Sequence, residues 1–182
     1  PVSGYRRQGR GGKGVTGAGT REEDFIEHMF VASTHHYIMF FTDLGKCYWL
    51  KVHEIPEGGR ATKGRSILNL IEKDKEEKIT AFVSVKDFTD DKFIVMATER
   101  GTVKKTVLSA YSNIRRGGIN AISLAAGDRL IEAKLSEGKN DIVIGTRNGM
   151  AIRFNEKDVR NMGRTATGVR GVRLGKGDVV IG

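Results

Sequence analysis

Residues 6–14 concentrate the groups most able to do chemistry. Arg6-Arg7-Gln8-Gly9-Arg10-Gly11-Gly12-Lys13-Gly14 holds four cations, four glycines, one glutamine and no acid. Glycine lacks Cβ, so such a loop brings its backbone close to a partner and adopts positive φ. Arg and Lys on the loop then reach an anion. The rest of the chain is basic too: its 182 residues carry 31 Lys and Arg against 22 Asp and Glu, a formal net charge of +9. That balance suits polyanions, above all the phosphate backbone of nucleic acid. A solvated basic surface without a ligand is the alternative.

Other chemistries find little support. Gly11-Gly12-Lys13-Gly14 lacks the glycine spacing and following hydroxyl of a nucleotide phosphate loop. No carboxylate cluster or nucleophile elbow is present. His28, His35, His36 and His53 have no metal-ligand spacing with the single cysteine, Cys47. One cysteine forms no intramolecular disulfide and fits a reducing cytoplasm. No signal peptide is read, and no apolar run approaches the roughly 20 residues that cross a bilayer. Phe40, Phe41, Tyr48 and Trp49 lie on one hairpin, where core packing is favoured over base stacking.

Three hairpins position the cations: Tyr37 to Leu50, Phe93 to Thr106, and Asp141 to Phe154. Each runs apolar residues into Thr-x-x-Gly, with Thr42, Thr98 and Thr146 three residues before Gly45, Gly101 and Gly149. Leu44-Gly45, Arg100-Gly101 and Asn148-Gly149 predict two-residue turns. The consecutive apolar residues of each first strand predict burial on both faces. A second glycine follows each hairpin, and Gly14, Gly64, Gly118 and Gly168 are spaced by 50, 54 and 50 residues. Leu68, Ile122 and Val172, each two residues before a leucine, predict a further half-buried strand. More strands are predicted at 30–33, 79–85 and 130–135, with single helical turns at 108–113 and 156–161. The charged run 72–78 reads as a solvated loop.

A period near 50 with about four short strands per unit is that of a bladed β array. The expected class is all-β: a propeller-like array of four-stranded blades, read as one domain over 1–182. The repeats fall at about 29–85, 92–135 and 140–182. The chain begins with the end of a blade and stops mid-strand by pattern, so three to four blades of a larger, open array are expected.

The basic residues recur at the repeat landmarks. Beside the second glycines lie Arg10 and Lys13, then Arg60, Lys63 and Arg65, then Arg115 and Arg116, then Arg164, Arg170 and Arg173. After the hairpin glycines lie Lys46 and Lys51, then Lys104 and Lys105, then Arg153. Stacked blades would return each landmark to one height and form a basic belt. Such a belt grips a bent duplex by its phosphates without reading bases.

Gln8-Gly9-Arg10-Gly11-Gly12-Lys13-Gly14 resembles the glycine-rich basic box of the C-terminal domain of the DNA gyrase A subunit, with Gly9 where the family usually has Lys or Arg. The resemblance continues at Glu22-Glu23-Asp24-Phe25, Ala97 to Leu108, and Thr167 to Leu174. It implies a β-pinwheel of six blades that exchange strands, wrapping duplex DNA for ATP-dependent negative supercoiling. It implies Arg6, Arg7, Gln8 and residues 10–14 as a DNA-binding box. It implies partnership with the rest of the gyrase A subunit and with the gyrase B subunit in an A2B2 holoenzyme, in the bacterial cytoplasm at the nucleoid. The cleaving tyrosine, ATP and Mg2+ would belong elsewhere in that assembly, leaving no catalytic residue, metal or cofactor here. The alternatives are the related topoisomerase IV domain, a protein-binding propeller without Trp-Asp signatures, and an RNA-binding Arg-Gly segment, for which one Arg-Gly-Gly is too short.

Overall fold

A computed structural model describes residues 36–52, 76–113, 115 and 117–182. Over these residues the chain is built from antiparallel strands. The first sheet holds β1 (Tyr37–Thr42), β2 (Lys46–Lys51), β3 (Ile79–Val85) and β6 (Ile119–Asn120), in the order β3-β1-β2-β6. The second holds β4 (Phe93–Thr98), β5 (Thr102–Val107), β7 (Leu130–Ser136) and β10 (Val169–Arg170), in the order β7-β4-β5-β10. A third pairs β8 (Asp141–Gly145) with β9 (Ala151–Asn155). The two predicted helical turns form as 3-10 turns at Leu108–Tyr111 and Glu156–Asp158.

Each four-stranded sheet borrows its last strand. β6 follows the second hairpin yet pairs with β2 of the first, Cys47 opposite Ile119. β10 follows the third hairpin yet pairs with β5 of the second, Val103 opposite Val169. The strand after each exchange also returns to the preceding hairpin tip: the amide of Leu130 donates to the Asp43 carbonyl (3.0 Å), and that of Val180 to Glu99 (2.9 Å). Neither four-stranded sheet closes on the residues of one repeat.

The hairpin tips are wider than the two-residue turns predicted. Phe41 pairs with Cys47 and Ala97 with Val103, leaving three residues between Thr42 and Lys46 and between Thr98 and Thr102. Gly45, Gly101 and Gly149 are left-handed, and among the described residues no non-glycine residue has positive φ. The tighter turn with two left-handed residues would have forced Leu44 and Arg100 into that region; the three-residue loop places glycine alone there. The threonine explains the motif. Its carbonyl accepts the glycine amide at 3.0–3.1 Å, and its hydroxyl accepts the next amide, from Lys46, Thr102 or Met150, at 3.1–3.2 Å.

Between the first two sheets lie Met39, Phe41, Val83, Ile94, Met96, Leu130 and Ala133, all buried. β3 and β7 touch directly across this gap. Towards β2 and β5 it widens and is filled by Leu108, Tyr111 and Ile122. The sheets are therefore arranged as blades, close at the β3/β7 side and splayed at the borrowed strands. Val103, Ile144, Val159 and Val180 fill the next gap, towards the third sheet. β1 is buried along nearly its whole length, as expected of a strand covered on both faces. β4 alternates buried and half-buried residues, and in β8 only Ile144 is buried. Burial on both faces thus does not hold for all three first strands, because it depends on what covers each sheet. Each borrowed strand is only two residues long. Beyond β6 the Gly45 carbonyl takes two successive amides, Ala121 (2.7 Å) and Ile122 (3.3 Å), ending the regular ladder.

Candidate nucleic-acid interface

The loops before the borrowed strands are built on glycines that have no substitute. Gly118 and Gly168 have φ of 77° and 106°. A Cβ on Gly118 would lie 2.7 Å from Tyr48 Cε1, and one on Gly168 would lie 2.5 Å from the Val103 carbonyl oxygen. These glycines let the incoming chain press against the neighbouring sheet before it pairs. The hairpin glycines serve the same junction from the other side: a Cβ on Gly45 or Gly101 would lie 2.9 Å from the carbonyl oxygen of Ile122 or Val172. Gly118 and Gly168 from one predicted series thus meet Gly45 and Gly101 from the other at the exchange, whereas Gly149 has open space around it and Gly14 and Gly64 lie outside the described residues.

The exposed cations of this edge come from the same loops. Arg115 lies before β6 and is exposed; Arg170 lies in β10, opposite Thr102, and is exposed; Arg173 follows it and is exposed. Arg164 is half-buried, and its Nη1 donates to the Asn120 carbonyl at 2.6 Å, tying its loop to the preceding borrowed strand. The Ser123 hydroxyl donates to the Thr165 carbonyl (2.6 Å), and the Ser123 amide to that of Ala166 (3.2 Å). Successive second-glycine segments therefore lie side by side along the edge. Arg153, on β9, is exposed, and its Nε and Nη2 both donate to Asp141 Oδ2, at 2.8 and 2.6 Å. Lys46 and Lys51 are half-buried, with Lys46 Nζ 3.9 Å from the buried Glu77 carboxylate.

Lys104 and Lys105 depart from the expected belt. They are 1 % and 7 % exposed. Successive strand residues face opposite ways, so one lysine enters each inter-blade gap. Lys104 Nζ donates to the carbonyls of Ala121 and Arg164. Lys105 Nζ donates to the Glu156 carbonyl (2.9 Å) and sits 5.2 Å from the centre of the Phe93 ring. Ammonium groups held inside by carbonyls are not presented to a phosphate. Burial, with the Arg164 charge adding to it, pulls the Lys104 pKa down to about 7. Arg6, Arg7, Gln8, Arg10, Gly11, Gly12, Lys13, Gly14, Arg60, Lys63, Arg65 and Arg116 lie outside the described residues.

Phe40, Phe41 and Tyr48 are buried, and Trp49 packs edge-on against Tyr37 with centroids 5.0 Å apart, so this hairpin's aromatics build the core. Burial pushes the Cys47 thiol pKa well up. Sequence reasoning missed the aspartates that hold the tips. Asp128 accepts the amides of Arg100 (3.0 Å) and Arg129 (2.8 Å); Asp178 accepts those of Asn148 (3.0 Å) and Val179 (2.8 Å). Their signal was present: Gly127-Asp128 and Gly177-Asp178 recur 50 residues apart.

Comparison with known proteins agrees with this architecture. The DNA gyrase A subunit of Halalkalibacterium halodurans is 50% identical over 172 residues, 94% of this chain and 21% of the relative. The DNA gyrase A subunit of Staphylococcus aureus (strain NCTC 8325 / PS 47) is 48% identical over 183 residues, 100% of this chain and 21% of the relative. The chain thus spans about a fifth of the curated relatives it matches. Among solved structures, the C-terminal domain of DNA topoisomerase IV superposes with a TM-score of 0.74 at 31% identity, over 80% of this chain and 46% of that one. A DNA gyrase A C-terminal domain superposes with a TM-score of 0.70 at 24% identity, over 99% of this chain and 58% of that one, a likeness of fold. The family described as "DNA gyrase C-terminal domain, beta-propeller" matches residues 1–33, 36–86, 92–136 and 140–182, and with exchanged four-stranded blades to accompany that match, the chain belongs to this family.

Proposed function

We propose that this chain binds duplex DNA along the outer edge of its blades, without reading sequence, and bends it as the wrapping element of a DNA gyrase A subunit. The observation that carries this is the strand exchange, which brings Arg115, Arg164, Arg170 and Arg173 to one edge on consecutive segments. Arginine on a backbone-proximal loop suits phosphate through its planar fork. Bending a few tens of base pairs costs several kcal/mol, about 1–6 by elastic estimates, which many phosphate contacts offset. The box at 8–14, with Arg60, Lys63, Arg65 and Arg116, supplies further phosphate contacts in this reading. Lys104 and Lys105 are not part of it. The gyrase B subunit, ATP and Mg2+ enter through the holoenzyme, and the place of action is the bacterial cytoplasm.

The test is affinity for duplex DNA across salt. Four neutralised phosphates give a slope of log K against log salt of about −3.6, and further contacts steepen it. Replacing Arg170 with Gln should weaken all duplex sequences alike and shallow the slope by about one. A flat salt response, or loss for one sequence alone, refutes the reading. A second reading is favoured by the 31% identity to a topoisomerase IV C-terminal domain. A DNA-topology assay on the full-length protein with its B subunit separates them: introduction of negative supercoils supports gyrase, and relaxation or decatenation alone supports the other enzyme.

A further inference from the structure

Lys104 is a buried cation with no acid against it among the described residues. Its ammonium lies at a three-way junction of β5, the segment after β6, and the loop before β10. The Ala121 carbonyl it bonds belongs to the segment lent to the first sheet; the Arg164 carbonyl belongs to the loop lending a strand to the second. The Tyr111 hydroxyl also donates to Ala121, at 3.4 Å. The Arg164 charge acts on the ammonium, and Tyr111, from the 3-10 turn after β5, in turn meets Cys47 of the first sheet and Thr106 of β5. Burying an ammonium without a counter-charge costs stability that an apolar side chain of the same length would not. A core built only for stability would place methionine here. What the ammonium adds is directional: it bonds the backbone of both successive edge segments at once.

We infer that Lys104 is a positioning residue that sets the spacing of two consecutive edge segments, and so places Arg164 and Arg170 for a polyanion without touching it. This rests on the DNA-binding reading above. The alignment of those segments is continued at the surface by Ser123 with Thr165 and by Arg164 with Asn120. At the junction, burial pushes Cys47 and Tyr111 up and out of the neutral range. Lys104 is the group there that changes charge between pH 6 and 9, its pKa drawn down to about 7. An amine that loses its charge holds carbonyls more weakly.

The experiment compares the chain with Lys104→Met in duplex binding across salt and pH, and in amide exchange without DNA. At a temperature where circular dichroism finds both folded, Lys104→Met should bind at least about fivefold more weakly, with the salt slope unchanged. The affinity of the unaltered chain should fall more steeply from pH 6.5 to 9 than that of the variant. Without DNA, the Ser123 amide, which donates to Ala166, should exchange faster in the variant. A slope reduced by about one makes Lys104 a phosphate contact and overturns the inference. Unchanged affinity, an unchanged pH profile, or unchanged Ser123 exchange also overturns it. Should Lys104→Met not fold, Ser123→Ala at the exposed end of the junction takes its place: weaker binding at constant slope supports the inference, and unaltered binding defeats it. If the unaltered chain itself binds duplex with no salt dependence, the DNA reading fails while the amide exchange still judges the junction.

Discussion

Alanine at Gly168 and at Gly149 should have very different consequences, although both glycines are left-handed and both follow a hairpin strand. Gly149 has φ of 86° and open space within 4 Å of where a Cβ would stand, so Gly149→Ala costs backbone strain alone, about 1–2 kcal/mol. Gly168 has φ of 106°, and its Cβ would meet the Val103 carbonyl oxygen at 2.5 Å and Thr102 Cγ2 at 2.9 Å. Backbone does not yield as a side-chain tip does. The Gly168 segment must move away from β5, opening the Val169–Val103 and Arg170–Thr102 pairs. Losing those ladder bonds and part of the burial of Val169 and Val172 adds about 2 kcal/mol to the strain. Urea denaturation measures the difference. With m near 2 kcal/mol/M, Gly168→Ala should unfold about 1 M earlier than Gly149→Ala. Because β10 carries Arg170, Gly168→Ala should also shallow the salt dependence of DNA binding. Equal urea midpoints for the two variants would refute the idea that Gly168 exists for close approach at the strand exchange.

Lys105→Met should leave the DNA salt slope untouched while destabilising the fold by about 1 kcal/mol, since the Glu156 carbonyl loses the ammonium and keeps only the Val159 amide (3.0 Å); a shallower slope would return Lys105 to the surface. Glu156 is fully buried and accepts from the Ser136 hydroxyl (3.0 Å) and the Asn140 amide (3.1 Å), so Glu156→Ala should cost about 2–4 kcal/mol, read from thermal or urea unfolding. The Thr146 hydroxyl, with the amides of Asn148 and Val179, holds the Asp178 carboxyl below its usual range. A depressed carboxylate contributes stability above its unfolded pKa and loses it as pH falls through the folded one. Asp178→Asn should therefore be less stable at pH 7 and flatter in stability between pH 5 and 3; an unchanged acid profile would count against this role.

Local pattern alone was enough for the hairpin strands. The further strand expected around Ile122 and Val172 forms three residues earlier, at Ile119–Asn120 and Val169–Arg170, because the Gly45 and Gly101 carbonyls each take two successive amides and end the ladder there. The strands expected at 30–33 and around Leu68 lie outside the described residues. Thr-x-x-Gly encodes a tip because the threonine supplies two acceptors and the glycine the left-handed residue, all within five positions. The predicted 79–85 and 130–135 strands and both single helical turns rest on equally local information, and they form. The 50-residue glycine period announced blades for the same reason: each unit repeats one short-range solution. What short-range information does not hold is which sheet a strand joins. β6 and β10 are two residues each, and their partners lie in the preceding unit. The close contacts of Gly118 with Tyr48 and of Gly168 with Val103 cross that distance too.

Burial was settled at the same level. Lys104 and Lys105 read as surface residues because a charged pair after a turn is ordinarily solvated. Each instead points into a gap that exists only once neighbouring blades stack, where carbonyls at the exchange receive the Lys104 ammonium and the Glu156 carbonyl of a 3-10 turn receives that of Lys105. The order of residues along the chain was enough for the repeat, the positions of the tips though not their width, the basic balance and the family. Sorting the cations into those on the edge and those inside it required the assembled blades, because side-chain exposure is a property of the neighbouring blade rather than of the residue.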